Sequence, residues 1–343
     1  MRRRIFCLLG ILGAAVIAAE GRRPEPPAPA ASRIVAIGDV HGAIESFAAI
    51  LRKAGLVDQQ QRWSGGKAVL VQTGDMSDRG KGMRAALDLL MSLEEQARKA
   101  DGRVQAILGN HEVMNLVGET RDATPEIFAT FGGEAAMRQA FGPRGRYGKW
   151  LRSKPVIAEI EDSIFLHGGI NPVFSDASVG EINRRARREL TEWDEGVKWL
   201  EQKKLVSPSP KFLDAVEAAR AELERLAAEP LREHPDTPRA AALLLPLVNI
   251  GTSSLFSPEG PLWFRGFSSW TDEEGTPRIA EILKKLGGRR FVTGHTVQSS
   301  RRITERFDGR LFLIDTGMVF PSGRASALEI VNETIRPLYV DEE

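Results

Sequence analysis

From Arg33 onward, short apolar runs alternate with longer stretches whose apolar positions recur at helical spacing, the pattern of an α/β chain. Residues 34–37 (IVAI) predict a strand ending at Gly38-Asp39, followed by a helix over 43–54. A second strand is predicted over 68–72, with Gly74-Asp75 just beyond it and a helix over about 82–100. A third, 104–108, runs into Gly109-Asn110-His111-Glu112. Further strands are expected at 163–166, 290–293, 311–314 and 327–331. Each early strand stops where a glycine and a polar group begin, and α/β sheets present ligands at the carboxyl ends of their strands. Between the later strands, residues 176–242 are charged and read as a helical insertion. Its basic run, Arg184–Arg188, is expected to be a solvated helical face balanced by nearby glutamates rather than an anion site.

The pattern ahead of Arg33 is different. Three arginines at positions 2–4 precede the apolar run Ile5–Ala19, which ends in small residues, and this is the layout of a secretory signal segment over residues 1–19. Cleavage after Ala18 and cleavage after Ala19 both suit it. An uncleaved anchor is the alternative, although a helix of that length rises only about 22 Å against a ~30 Å hydrocarbon core. Residues 20–32 are proline-rich and predict an extended linker, so one folded domain is expected over 33–343. A periplasmic or secreted location follows from the first 19 residues alone, and contact with a membrane only if that segment is retained.

Composition narrows the chemistry. The chain has 343 residues with 47 basic and 46 acidic side chains, so no general electrostatic attraction to nucleic acid is expected. Cys7 is the only cysteine, which excludes an intramolecular disulfide and any cysteine-based zinc cluster. It lies inside the predicted signal segment, so the processed chain is expected to contain no thiol. Glycine is enriched, with 33 residues, and there are only five histidines.

Four of those histidines fall in glycine-flanked motifs at predicted strand ends: GDVHG from Gly38, GNHE from Gly109, HGG from His167 and TGHT from Thr293. GDMSDRG from Gly74 completes the set. His234, in the insertion, carries no such context and receives no role. Asp39 and His41, two apart past a strand, can face one cation, and Asp75 can bridge two. Asn110 brings a neutral carbonyl oxygen, and His167 and His295 add imidazole nitrogens. The expected division is Asp39, His41 and Asp75 on one ion, and Asp75, Asn110, His167 and His295 on the other. Such a mixed nitrogen and oxygen set suits manganese, iron or zinc rather than calcium. Two ions so held activate a water and polarise a phosphoryl group. His111, next to a ligand, is placed to protonate a leaving alkoxide, with Asp78 orienting its imidazole. Arg79 suits a bidentate clamp on phosphate oxygens, and Arg265 in GPLWFRG is a second clamp unless it is a solvated arginine beside a Trp263–Phe264–Phe267 core. Glu112 reads as hydrogen-bonding support.

These motifs, in this order, resemble the calcineurin-like metallophosphoesterases and, more narrowly, the phosphoprotein phosphatases; the resemblance covers nearly everything from residue 32 to the C-terminus. It implies an α/β fold of two β-sheets packed together with helices outside, four layers in all, with a two-metal centre at strand ends. It also implies metal ligands at Asp39, His41, Asp75, Asn110, His167 and His295, an acid at His111 backed by Asp78, and phosphate contacts from Arg79 and Arg265. One departure stands out: DTGMVFPSG from Asp315 replaces the tyrosine-bearing loop of the eukaryotic serine/threonine enzymes. With GPLWFRG and the helical stretch, it is more similar to the Shewanella-like protein phosphatases, which implies a leaning towards phosphotyrosine and manganese-type activation.

The expectation is therefore a metal-dependent phosphomonoesterase acting by in-line attack of an activated water, with no phosphoenzyme. Its partner is a phosphorylated protein or a small phosphate ester, and two divalent ions, manganese first, are its cofactors. Cleavage of a phosphodiester or dinucleoside polyphosphate is the alternative within enzymes. A binding protein on an inactive phosphatase fold is the alternative of another class; it requires a missing ligand, and all six are present.

Overall fold

Two five-stranded sheets stand back to back, and the strand sequences explain why. The computed structural model describes residues 33–174, 176–228, 237–332 and 334–342. The signal and linker segments expected over 1–32, including Cys7, lie outside the described residues, as does His234. The first half contains β1 (Ile34–Ile37), α1 (Ile44–Lys53), β2 (Val69–Gln72), α2 (Met83–Lys99), β3 (Arg103–Ala106), α3 (Asn110–Leu116), α4 (Pro125–Phe131), α5 (Glu134–Phe141) and α6 (Arg146–Arg152). It is followed by β4 (Ile157–Ile160), β5 (Ser163–Leu166), α7 (Val179–Gln202), α8 (Phe212–Ala228), α9 (Thr237–Val248), α10 (Gly266–Ser269) and α11 (Asp272–Leu286). The chain closes with β6 (Arg290–Thr293), β7 (Thr304–Arg306), β8 (Leu311–Leu313), β9 (Ser326–Val331) and β10 (Thr334–Tyr339).

The first sheet runs β10-β9-β1-β2-β3 and the second β4-β5-β6-β8-β7. Each is mixed around a parallel trio, β1, β2 and β3 in one and β5, β6 and β8 in the other. Because successive side chains of a strand point to opposite faces, each central strand feeds two cores. Ile34, Ala36, Val69, Val71, Phe165, Val292 and Phe312 meet between the sheets. Their neighbours Val35, Ile37, Leu70, Ile164, Phe291 and Leu311 pack outward under helices, alongside Phe47, Leu87, Leu90 and Ile279. The result is helix, sheet, sheet, helix, as expected.

The central strands lie within one or two residues of their predicted bounds. Strands β4, β7 and β10 were not predicted, and all three are sheet edges. β10 carries Pro337, which such an edge tolerates because one side of the strand makes no ladder bonds. Asn110-His111-Glu112 forms the first turn of α3. The insertion is helical as expected and continues past residue 242 to Val248, and the arginines of 184–188 lie on the exposed face of α7, with Arg188 3.7 Å from Glu192. Among the described residues, no helix is long and apolar enough to cross a membrane.

Candidate metal centre

The carboxyl ends of the two parallel trios converge, and the backbone there is unusual. His41, Asp75, Asp78, Arg79 and His295 have φ values of 44°, 57°, 67°, 62° and 67°. Non-glycine residues rarely hold this left-handed region, and each costs roughly 1–3 kcal/mol that the surroundings must offset. Glu112 supplies much of the restraint. Its buried carboxylate accepts the backbone N–H groups of Asp75 at 2.7 Å, Ser77 at 2.9 Å and Gly109 at 2.9 Å, tying the second and third motifs together. This is the supporting role expected of it. Gly109 is required for a simpler reason: a Cβ there would collide with Asp75 Oδ1. The sheets are joined at the same point, where the His295 N–H donates to Asp39 Oδ1 at 2.9 Å.

All six residues expected to ligate metal are buried and brought together. His41 Nδ1 faces the Ser77 carbonyl at 2.7 Å, His167 Nδ1 the Thr73 carbonyl at 3.0 Å, and His295 Nε2 the Trp263 carbonyl at 3.2 Å. A carbonyl only accepts, so each of these nitrogens carries the proton and the opposite nitrogen presents a lone pair. The consequence is a cluster of acceptors without hydrogens between them. His167 Nε2 lies 2.9 Å from Asn110 Oδ1, 3.1 Å from His295 Nδ1 and 3.2 Å from Asp75 Oδ2. Donors around one octahedral divalent ion stand about 3 Å apart, so a cation resolves this repulsion. The second group is similar: His41 Nε2 is buried with no hydrogen-bond partner, 3.5 Å from the same Asp75 Oδ2 and 3.8 Å from Asp39 Oδ2. The donor set therefore fits two ions sharing Asp75.

His111 also lies near this second group, since His41, Asp75 and His111 form one possible triad and Asp75, His167 and His295 another. Its bonding separates it from the ligands. His111 Nδ1–H donates to Asp78 Oδ2 at 2.8 Å, and Nε2 faces Arg79 Nη2 at 3.2 Å. Burial disfavours charge on this imidazole, but Asp75 and Asp78 overcome it and raise its pKa to about 9. Burial drives His41 down to about 3 and His295 to about 2, leaving both neutral and able to ligate. A protonated His111 cannot ligate, so Asp39 fits the ion beside His41 better than His111 does.

Arg79 is exposed and beside His111, while Arg265 lies farther round, donating to the His295 carbonyl at 3.3 Å and Thr296 Oγ1 at 2.9 Å. Phe264 and Phe267 are core, so Arg265 is the solvated member of an apolar turn and touches the site through His295. Three contributors escaped the sequence reading. Asn115, one helical turn after His111, donates its Nδ2–H to Asp78 Oδ1 and Oδ2, both at 3.0 Å. Asp122 lies with Oδ2 3.9 Å from His111 Nδ1. Asp315 is buried beside Asp39, and burial pushes its carboxyl up. An aspartate just past β8 repeats the signal seen at β1 and β2.

A family model for calcineurin-like phosphoesterases matches residues 32–299. The chain is 30% identical over 292 residues to Shewanella-like protein phosphatase 1 of Plasmodium berghei, covering 83% of this chain and 67% of that protein. It also resembles the crystal structure of a cold-active protein-tyrosine phosphatase from a psychrophilic Shewanella, with a TM-score of 0.65 and 25% identity over 91% of this chain and 78% of that one. A symmetrical bis(5'-nucleosyl)-tetraphosphatase of Neisseria meningitidis is 27% identical over 156 residues, 45% of this chain and 50% of that protein.

Proposed function

We propose that this chain, which belongs to the calcineurin-like phosphoesterase family, hydrolyses phosphomonoesters and prefers phosphotyrosine. That it is a metal-dependent phosphoesterase close to the Shewanella-like phosphatases follows from the family match and the paired ligand clusters. The observation that carries the finer reading is the placement of His111 and Arg79 side by side at the edge of the paired clusters. Asp39, His41, Asp75, Asn110, His167 and His295 would hold two divalent ions, which would supply an activated water and neutralise phosphoryl charge. With its imidazole charged, His111 Nε2–H and the Arg79 guanidinium are two donors 3.2 Å apart, and a phosphate oxygen is the acceptor that satisfies both. His111 then protonates the leaving oxygen, Asp78 keeps its proton on Nδ1, and Asn115 holds Asp78 in place.

The phosphotyrosine preference is supported by the likeness to a tyrosine phosphatase. The likeness to a nucleosyl tetraphosphatase favours phosphoanhydride cleavage as a second reading. Initial rates on phosphotyrosine and phosphothreonine peptides and on a dinucleoside tetraphosphate, with manganese added, separate them. Phosphotyrosine is expected to turn over fastest, and turnover confined to the tetraphosphate would overturn the proposal. Manganese is the proposed ion, with iron and zinc also suited to these donors. Export of the chain and removal of residues 1–19 complete the reading.

A pH experiment tests the acid pair. Because a charged His111 is the active form, activity falls as pH rises through its pKa. Asp78→Asn removes one of the two carboxylates that raise it. The alkaline limb of kcat/KM is expected to move to lower pH in this variant, with turnover reduced about 10- to 100-fold. A limb at the parent position would detach Asp78 from the proton donor.

A further inference from the structure

The loop after β8 places an aromatic ring beside the phosphate clamp. Phe320 is 39% exposed and is the one aromatic among the large exposed hydrophobic side chains of the described residues. It is also held in position. The Arg79 guanidinium carbon lies 5.8 Å from its ring centre and that of Arg301 5.6 Å. Its backbone is braced within a turn: Phe320 N–H donates to the Gly317 carbonyl at 2.9 Å, Gly323 N–H to the Phe320 carbonyl at 2.8 Å, and Gly317 N–H to Asp315 Oδ1 at 2.9 Å. Thr316 Oγ1–H closes the loop on the Arg324 carbonyl at 2.7 Å. Arg301 Nη1 is buried beneath it with no hydrogen-bond partner.

Phe320 therefore presents a part-exposed phenyl ring beside two guanidinium groups. The first of these groups, Arg79, touches the nitrogen that would protonate the ester oxygen. In an aryl phosphate the ring is bonded directly to that oxygen, so it emerges from the phosphate site within one guanidinium of Phe320. The short alkyl arms of phosphoserine and phosphothreonine bring no ring there.

We propose that Phe320 is the specificity residue for the leaving group, stacking against the ring of an aryl phosphate monoester, phosphotyrosine in a peptide being the fitting case. This rests on the phosphotyrosine reading above and names the side chain that produces it. An aromatic pair of this kind accounts for a factor of about 3 to 10 in binding.

The experiment compares kcat and KM for matched phosphotyrosine and phosphothreonine peptides in the full-length, manganese-loaded enzyme and in Phe320→Ala and Phe320→Leu. The kcat/KM ratio of phosphotyrosine over phosphothreonine is expected to fall about 3- to 10-fold in Phe320→Ala, through KM. Phe320→Leu keeps apolar bulk against Arg79 and is expected to lose most of the preference as well. A parent enzyme without the preference sinks the earlier reading. A parent with the preference and an unchanged ratio in Phe320→Ala sinks this one alone. Equal loss on both peptides, or full preference in Phe320→Leu, would mean that Phe320 only supports Arg79. A KM rise confined to a dinucleoside tetraphosphate would assign the ring to a nucleobase, and overturns the proposal too.

Discussion

His111→Asn should lower turnover of phosphotyrosine about 10²- to 10⁴-fold while leaving the metal content at two ions per chain. The separation of these two readouts is built into the geometry. The backbone N–H of residue 111 donates to Asp75 Oδ1 at 3.0 Å, and this bond survives the substitution. The imidazole itself is bonded to Asp78 and faces Arg79, with Nε2 3.8 Å from Asp75 Oδ2, at the edge of the His41 group. Asparagine offers no acid at neutral pH, so the leaving oxygen departs as an anion. The penalty scales with how poor a leaving group that is: large for tyrosine, whose hydroxyl has a pKa near 10, and smaller for an activated nitrophenyl ester. Metal content by elemental analysis and rates on both esters test this. Undiminished turnover of phosphotyrosine would remove His111 from the proton-donor role, and loss of metal would make it a ligand.

Asp75→Asn acts on the other side of the same chemistry. One oxygen, Asp75 Oδ2, stands 3.2 Å from His167 Nε2 and 3.5 Å from His41 Nε2, so it is common to both groups. The amide keeps the shape and removes the charge, and with it the one anionic donor shared by the two ions. Replacing a residue that merely orients a ligand costs 10- to 100-fold in metal affinity. Loss of the shared carboxylate should exceed about 100-fold in affinity. The bound metal should then fall below two per chain at concentrations that saturate the parent. Metal that binds only the folded state raises thermal stability by mass action, so the rise in Tm on adding manganese should shrink in the variant. An undiminished stoichiometry and an undiminished Tm rise would refute the sharing.

How much of this was legible beforehand depended on how local the signal was. The ligands and His111 sit in glycine-flanked motifs just past strands, and hard donors clustered with glycine point to a cation wherever they fall. Phe320 had no such signal. A phenylalanine in a glycine- and proline-bearing stretch reads as a turn or a core residue, and its contact with Arg79 spans more than 200 positions. Asn115 and Asp122 were missed because each works through a side chain already chosen. Asp315 followed the strand-end rule and was read only as part of a motif.

The central strands show the same division. Their apolar runs marked them as strands buried on both faces, because only such strands lack an outward polar side. The edge strands β4, β7 and β10 mix polar and apolar residues and stay below that threshold. Which face of β1 looks at the other sheet was not encoded, since both of its faces are apolar. The amino-acid order thus set the chemistry on offer: a nitrogen and oxygen donor set, a candidate acid at His111, candidate clamps at Arg79 and Arg265, and no thiol in the described domain. Folding decided the rest, because sharing of Asp75, the raised pKa of His111 and the exposure of Phe320 each depend on distances of a few ångströms. Those distances are set by two sheets meeting at their strand ends, and positions such as Asp39 and His295, joined at 2.9 Å, lie 256 residues apart along the chain.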